Sequence, residues 1–375
     1  MGLWVFGWVL LACLAQPDLP PETILLSKVK ARVAANLKQL PNFTCVETIR
    51  RSMWYKSTAT PEMVDTVRLE VAFVNGKELY GWPGASRIDE SDITKLAGGS
   101  VGNGYFALFL NNIFLVSSTT FHYAGPATLA GREMVRYNYV VPQLAHAYRL
   151  RSSRGAATVG YHGSFWIAKG GVDPLHIEVV ADDVPADLGY SAARSTLDYA
   201  PVVVGTQTFV LPKTAEFVFT DTLGTQHRST LSFQSCHEFV GEAAIKFVVP
   251  ETRGVPLPDD FIVELKLDTP IDSANAAGGD AVHATLLGEI ALRDGTSIPK
   301  GATITGRIAH ITKNGAVYSL DFAFESLDFE GGHADLKERD NEVSFENWQK
   351  IRRTDHLNVP AGTRLTLKSR IRSEK

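Results

Sequence analysis

Residues 40–51 read LPNFTCVETIRR, from Leu40 to Arg51, and the fold turns on this stretch. Before it runs the one clear helical pattern of the chain. Leu26, Val29, Val33, Leu37 and Leu40 recur at three- and four-residue steps, with Lys28, Lys30, Arg32 and Lys38 on the other faces. Pro21 suits the first turn of that helix and Pro41 stops it. After Pro41 the side chains alternate, which is the period of a strand. A lone amphipathic helix therefore hands over directly to sheet, and its apolar face needs a surface to cover.

The sheet pattern continues downstream. Val67, Leu69, Val71 and Phe73 alternate with polar or small residues and run into Asn75-Gly76, the preferred pair for a type I′ hairpin turn. Further strand-like runs are 165–169, 175–180, 207–211 and 214–219. Residues 86–118 break the pattern: an acidic stretch, then glycines, then YFALFLNNIFLV, which reads as a short apolar helix. A boundary falls at VPETRGVPLPDD, residues 249–260, where prolines and a glycine interrupt the alternation.

Beyond it Phe261, Val263, Leu265 and Leu267 share one strand face, as do Tyr318, Leu320, Phe322 and Phe324, and then Leu365, Leu367 and Ile371. Pro299-Lys300-Gly301 and Pro360-Ala361-Gly362 read as type I turns, with proline second and glycine fourth. The charged stretch 337–355 reads as an exposed excursion. The expected fold is mainly β. An antiparallel half-barrel wrapped on a helix occupies 21–248, and after the linker a small β-barrel or sandwich occupies 261–375.

A formal net charge of −4 gives no electrostatic reason to expect nucleic acid as a partner, and 45% hydrophobic residues describe an ordinary globular core. Gly2 to Ala15 carries no charged residue and is too short to span a bilayer. It fits the apolar region of a secretory signal cut after Ala15, although no basic residue precedes it. A competing interpretation takes Leu10-Leu11-Ala12-Cys13 as a lipobox, with Cys13 lipidated. Both place the mature chain outside the cytoplasm, in the periplasm or cell envelope.

Removal of the signal leaves Cys45 and Cys236 in an oxidising compartment, where a disulfide is the default. One difficulty stands against the pair. Cys45 shares a face with Phe43 and Ile49, whereas Cys236 falls with Ser232 and Gln234, so a twist or bulge is needed to bring them together.

Other candidates for chemistry are weaker. Gly102-Asn103-Gly104-Tyr105-Phe106-Ala107 fits the dinucleotide fingerprint in form, but no strand precedes it and no βαβ unit surrounds it. Cys236 and His237 are strand neighbours pointing to opposite faces, a poor nucleophile–base pair. His237 shares parity with Leu231 and Phe233 and reads as partly buried. Asp182, Asp183 and Asp187 form a solvated turn sooner than a calcium site. Asn42-Phe43-Thr44 is a glycosylation sequon in form only. No catalytic residue, cofactor or metal is expected, and no constellation supports a hydrolase.

Two resemblances add to this. LPNFTC, VNGKELYGWPG (74–84), GGSVGNGYFALF (98–109), VDPLHIEVVADDVPADL (172–188) and STLDYAPVVVGTQTFVLPKTAEF (195–217) resemble secreted bacterial proteins of unknown function, a type common in acidobacteria. Their sheet pattern is similar to the LolA/LolB/RseB superfamily, whose half-barrel wraps a helix around an apolar cavity for acyl chains. FIVELKLDTPIDSANAAGGDAVHATL (261–286) and SIPKGATITGRI (297–308) resemble the β-barrel domain of TrbI-type conjugation and secretion proteins, an envelope assembly module. The resemblance implies an exported, non-enzymatic protein that binds a lipid, a lipoprotein acyl chain or a partner protein. Phe106, Phe109, Leu110 and Phe114 would then line the groove or form its lid. The alternative is a structural module of the envelope acting through the C-terminal barrel.

Overall fold

The computed structural model describes residues 19–371, apart from 86, 100, 146–147, 153, 239–253, 338 and 347–351. The signal expected at 1–15, the alternative lipidation site Cys13 and the first part of the linker lie outside the described residues.

Helix α1 (Pro21–Gln39) begins on the Pro20 carbonyl, which accepts from Thr23 and Ile24, and ends where the Leu40 N–H reaches Asn36. Val29 and Val33 on its apolar face are buried. Strands β1 (Phe43–Trp54), β2 (Glu62–Val74) and β3 (Lys77–Gly81) follow, with Asn75-Gly76 as the tight turn, both at positive φ. The insert holds α2 (Ile93–Ala97) and α3 (Leu108–Leu110), the latter running on as a π turn over Asn111–Leu115. Then come β4 (Thr120–Leu129), β5 (Arg132–Val141), the side hairpin β6 (Tyr148–Ser152) and β7 (Gly155–Val159), β8 (Tyr161–Ala168) and β9 (Pro174–Ala181). The half ends with the long strands β10 (Tyr190–Val204), β11 (Gln207–Asp221) and β12 (Gln226–Glu238).

These strands form one antiparallel sheet in the order β3-β2-β1-β12-β11-β10-β9-β8-β5-β4. Two runs of chain, β1–β3 and β4–β12, thus meet at a single seam between β1 and β12. The inward faces of the sheet, α1 and the insert share one apolar core.

The two runs read at 207–211 and 214–219 are one strand. Pro212 lies between them opposite Tyr199, where the register of β10 and β11 shifts. A bulge tolerates the proline that a regular ladder would exclude.

The second half contributes β13 (Asp260–Leu267), β14 (Ile271–Asp272), β15 (Ala281–Leu286), β16 (Ile290–Ala291), β17 (Ser297–Ile298), β18 (Thr303–Asn314), β19 (Val317–Phe329), β20 (Gly332–Asp335), β21 (Arg339–Phe345), β22 (Asn358–Val359) and β23 (Arg364–Ile371). Its order is β21-β23-β13-β15-β18-β19-β20, with the short pairs β14–β22 and β16–β17 beside it. The curl is open: Asn341 of β21 donates to the Phe324 carbonyl of β19 at 3.4 Å, but no ladder joins those strands among the described residues. A second core, led by Leu265, Leu267, Ile304, Leu365 and Leu367, fills it.

Two expectations change here. Part of the charged stretch 337–355 is strand β21, whose Asp340 and Glu342 point outward while Asn341 and Val343 are half-buried. The proline–glycine turns start one residue later than expected. Pro299 accepts from Ala302 at 3.3 Å, which puts Gly301 third with φ of 91°, the position where a type II turn needs glycine.

The second half docks on β2. Beyond the reach of β3, the Thr66 carbonyl accepts from Gly278 and the Arg68 N–H donates to the Gly278 carbonyl, at 2.8 and 2.7 Å. The Arg68 guanidinium pairs with Asp280, and Arg307 lies over the Trp82 ring at 4.7 Å. An edge that would otherwise be open is covered. Among the described residues no helix is long and apolar enough to cross a membrane.

Candidate functional site

The bond between Cys45 and Cys236 is present and joins residues 191 apart at the β1–β12 seam. The facing difficulty is resolved by a bulge. Thr44 pairs with His237 but Val46 pairs with Gln234, and Ser235 adopts a left-handed φ of 50°. One extra residue on β12 reverses the parity beyond it and turns Cys236 toward the Cys45 side. The same reversal overturns the expectation for His237, which is exposed and bonds the Thr44 hydroxyl at 2.9 Å.

The interior was expected to be a groove covered by the insert. Phe106, Phe109, Leu110 and Phe114 are seated inside it, each at most 3% exposed. Phe106 packs against Phe43 and Phe233 with ring centres 5.3 and 5.0 Å away, and Phe114 meets Phe165 at 4.9 Å. Phe109 lies 5.3 Å from Tyr148 and 5.9 Å from Tyr161. Short helical turns place Phe109, Leu110 and Phe114, and the loop before them places Phe106, so the hollow between helix and sheet is filled by the chain's own insert.

Within this apolar filling lie two carboxyls that the sequence reading passed over. Glu47 points inward from β1, between Cys45 and Ile49 and opposite Phe233 and Leu69. It is 2% exposed. Burial, and then the charge of Glu78, push it well above the usual carboxylate range. Glu78 of β3 is half-buried, and burial raises its carboxyl, but three donors oppose the shift. The Tyr80 hydroxyl donates at 2.7 Å, the Gly104 N–H at 2.8 Å and the Phe106 N–H at 2.9 Å.

Glu78 therefore ties the glycine loop to the sheet. The backbone N–H groups that a dinucleotide site would offer to phosphate are occupied by this carboxylate. Its glycines serve a packing need as well: a Cβ at Gly102 would overlap the Tyr105 hydroxyl.

Tyrosines surround the pair. The Tyr199 hydroxyl donates to the Tyr105 carbonyl at 3.0 Å, and the Tyr148 hydroxyl meets Ser195 at 3.4 Å. Burial pushes Tyr148 up to about 12. The Tyr105 hydroxyl is buried, and burial, then Tyr148 and Glu47, raise its pKa well above that of a free phenol, opposed by a hydrogen bond with Ser195. Glu47 was detectable in the sequence as a charged residue on the apolar parity of β1.

At the end of the sheet where β1 meets the start of β12, a cleft of about 670 Å³ opens between Arg51, Tyr190, Phe219 and His227, with His310 of the second half on its wall. The end of α2, Ala97 to Gly99, lines it too, so the insert reaches from the buried carboxyls to this mouth. Among the described residues no group of three or more His, Cys, Asp or Glu side chains is arranged to hold a metal. Asp182 is engaged by His162 at 2.6 Å.

No family model matches the chain, and no curated protein matches its sequence. Solved structures align over its larger part. A DUF1329 family protein from Desulfovibrio piger shares 12% identity over 60% of this chain and 95% of its own, with a TM-score of 0.31. A domain described as an outer membrane lipoprotein-sorting protein, from Vibrio parahaemolyticus, shares 12% over 56% and 92%, with a TM-score of 0.30. The lipoprotein LppX of Mycobacterium tuberculosis shares 13% over 57% and 97%, with a TM-score of 0.22. Overlaps this loose leave the function to the geometry of the chain itself.

Proposed function

We propose that the first half is an exported binding module for an apolar chain, a lipid or a lipoprotein acyl group, held between α1 and the inward face of the sheet. One observation carries this: the hollow is filled by the aromatic side chains of an insert built of loops and short helical turns. Segments with few backbone hydrogen bonds of their own sit at the low-stability end of a fold and open first. An alkyl chain replaces Phe106, Phe109 and Phe114 with little loss of apolar contact, entering by the cleft beside Arg51 and Tyr190. The apolar leader at 2–15 and the disulfide support an extracytoplasmic setting.

Mass spectrometry of organic extracts from the purified protein tests the proposal, together with displacement of a polarity-sensitive apolar dye. Co-purifying acyl lipid and saturable dye binding are expected. Absence of both would remove the carrier function and leave the insert as ordinary core.

A further inference from the structure

The insert fills the hollow, so whatever holds the insert there also governs entry. Its first part is anchored by side-chain contacts: Asp92 pairs with Arg151, and the Arg51 guanidinium donates to the Gly98 carbonyl at 2.5 Å. Further along, one side chain of β3 grips the backbone. Glu78 Oε2 accepts from the Gly104 N–H at 2.8 Å, and Oε1 accepts from the Phe106 N–H at 2.9 Å. Phe106 carries one of the rings that fill the hollow, packed on Phe43 and Phe233, so this bond fixes the ring through its own residue. We propose that Glu78 is the latch of the insert: its carboxyl keeps Phe106 in the hollow and sets how readily an apolar chain takes that place.

The grip has both the chemistry and the position of a latch. Three donors converge on the carboxyl, with the Tyr80 hydroxyl as the third, and these are the surroundings of an ionised acceptor. Hydrogen bonds to an ionised acceptor are roughly twice as strong as neutral ones, such as the Tyr199 tie to the Tyr105 carbonyl. The grip is also separable from the sheet. β3 is joined to β2 by its own ladder, from Glu70 opposite Gly81 to Val74 opposite Lys77, whereas Gly104 and Phe106 belong to no strand. Releasing their N–H groups leaves every strand pairing in place. A closed state of this kind competes with the ligand, because apparent affinity is the intrinsic affinity scaled by the fraction of molecules that are open. Weakening the latch therefore tightens binding, whereas removing a residue that only supports the fold weakens it.

The latch rests on the carrier function, and the test separates the two. The full-length chain, stripped of lipid, is titrated with the apolar dye as wild type and as Glu78→Gln, which keeps the shape and removes the charge. Glu78→Gln is expected to take up the dye about tenfold faster and to bind it about tenfold tighter, with dissociation unchanged. The Gly104 and Phe106 amides should exchange with solvent about tenfold faster in the variant. In the wild-type protein the same two amides should exchange by a local opening that low urea does not accelerate. Weaker or equal dye binding in Glu78→Gln overturns the latch while the carrier stands. Exchange of the two wild-type amides only through global unfolding does the same, and this readout holds even where the variant does not fold. Absence of dye binding in the wild-type protein overturns both.

Discussion

The two halves of this chain are both antiparallel β structures, yet their cores differ in kind. The second half buries Val, Leu, Ile and Phe side chains, with Ser369 as its buried polar residue among the described residues. The first half buries Glu47, Asn36, Asn112, Thr44, Thr119 and several serines among its apolar groups. Buried polar atoms are not confined to it, since the second half encloses atoms of Arg307, Asn341 and Arg352. Each buried polar group costs free energy that a hydrocarbon side chain of the same size would not. The proposed site lies in the half that buries more polar residues.

The largest test of this contrast is the disulfide. Closing a 191-residue loop contributes roughly 5 kcal/mol in the chain-entropy description, so reduction or Cys45→Ala should lower the urea midpoint of the first half sharply. The transition of the second half, followed through its own probes, should hardly move; a shift of both would mean the halves unfold as one. Truncating Leu265, fully buried in the second core, is the mirror experiment. Leu265→Ala should cost about 3 kcal/mol, confined to the second transition in calorimetry.

Glu47→Leu should act in the opposite direction. Removing a buried carboxyl should stabilise the first half by about 1–3 kcal/mol in thermal melts, and a loss of stability there would show that Glu47 is paired. The pH dependence carries the same information. The folded-state pKa values of Glu47 and Glu78 are raised above the ordinary 4.5. Between the unfolded and folded values the native state holds more protons than the unfolded chain. Stability of the first half should therefore fall as pH rises from 4.5 through the raised values, and the slope should flatten in Glu47→Gln. The second half should show no such slope. The smallest effect is expected at the junction. Arg68→Ala should cost about 1 kcal/mol, read as a wider gap between the two transitions, since its pair with Asp280 is only partly shielded from solvent.

Much of the frame was legible in the sequence, for physical reasons that also explain the failures. α1 and the Asn75-Gly76 hairpin announce themselves because periodicity and turn chemistry are local. β4 does not, because its inward face is only half-buried and a bulge between Tyr123 and Gly125 interrupts the alternation. Parity arguments placed Cys45 correctly and His237 wrongly, since the bulge at Ser235 resets the count and leaves no mark in composition. Glu47 was hidden differently. A single acidic residue on an apolar parity reads as noise until its neighbours on β2 and β12 close around it. The apolar insert was noticed, but whether it lies over a groove or inside it depends on contacts nearly a hundred residues apart, such as Tyr199 with Tyr105.

The seam between β1 and β12 also sets a timetable. During synthesis β1 to β3 emerge first, and the free edge of β1 must wait for β12, almost two hundred residues later, before it is paired. Contacts this distant in sequence form slowly, and an unpaired edge is open to other chains meanwhile. Cys45 sits on that waiting edge. Its bond to Cys236 can form only once the last strand has arrived in the bulged register, so oxidation marks the completed sheet and traps it there.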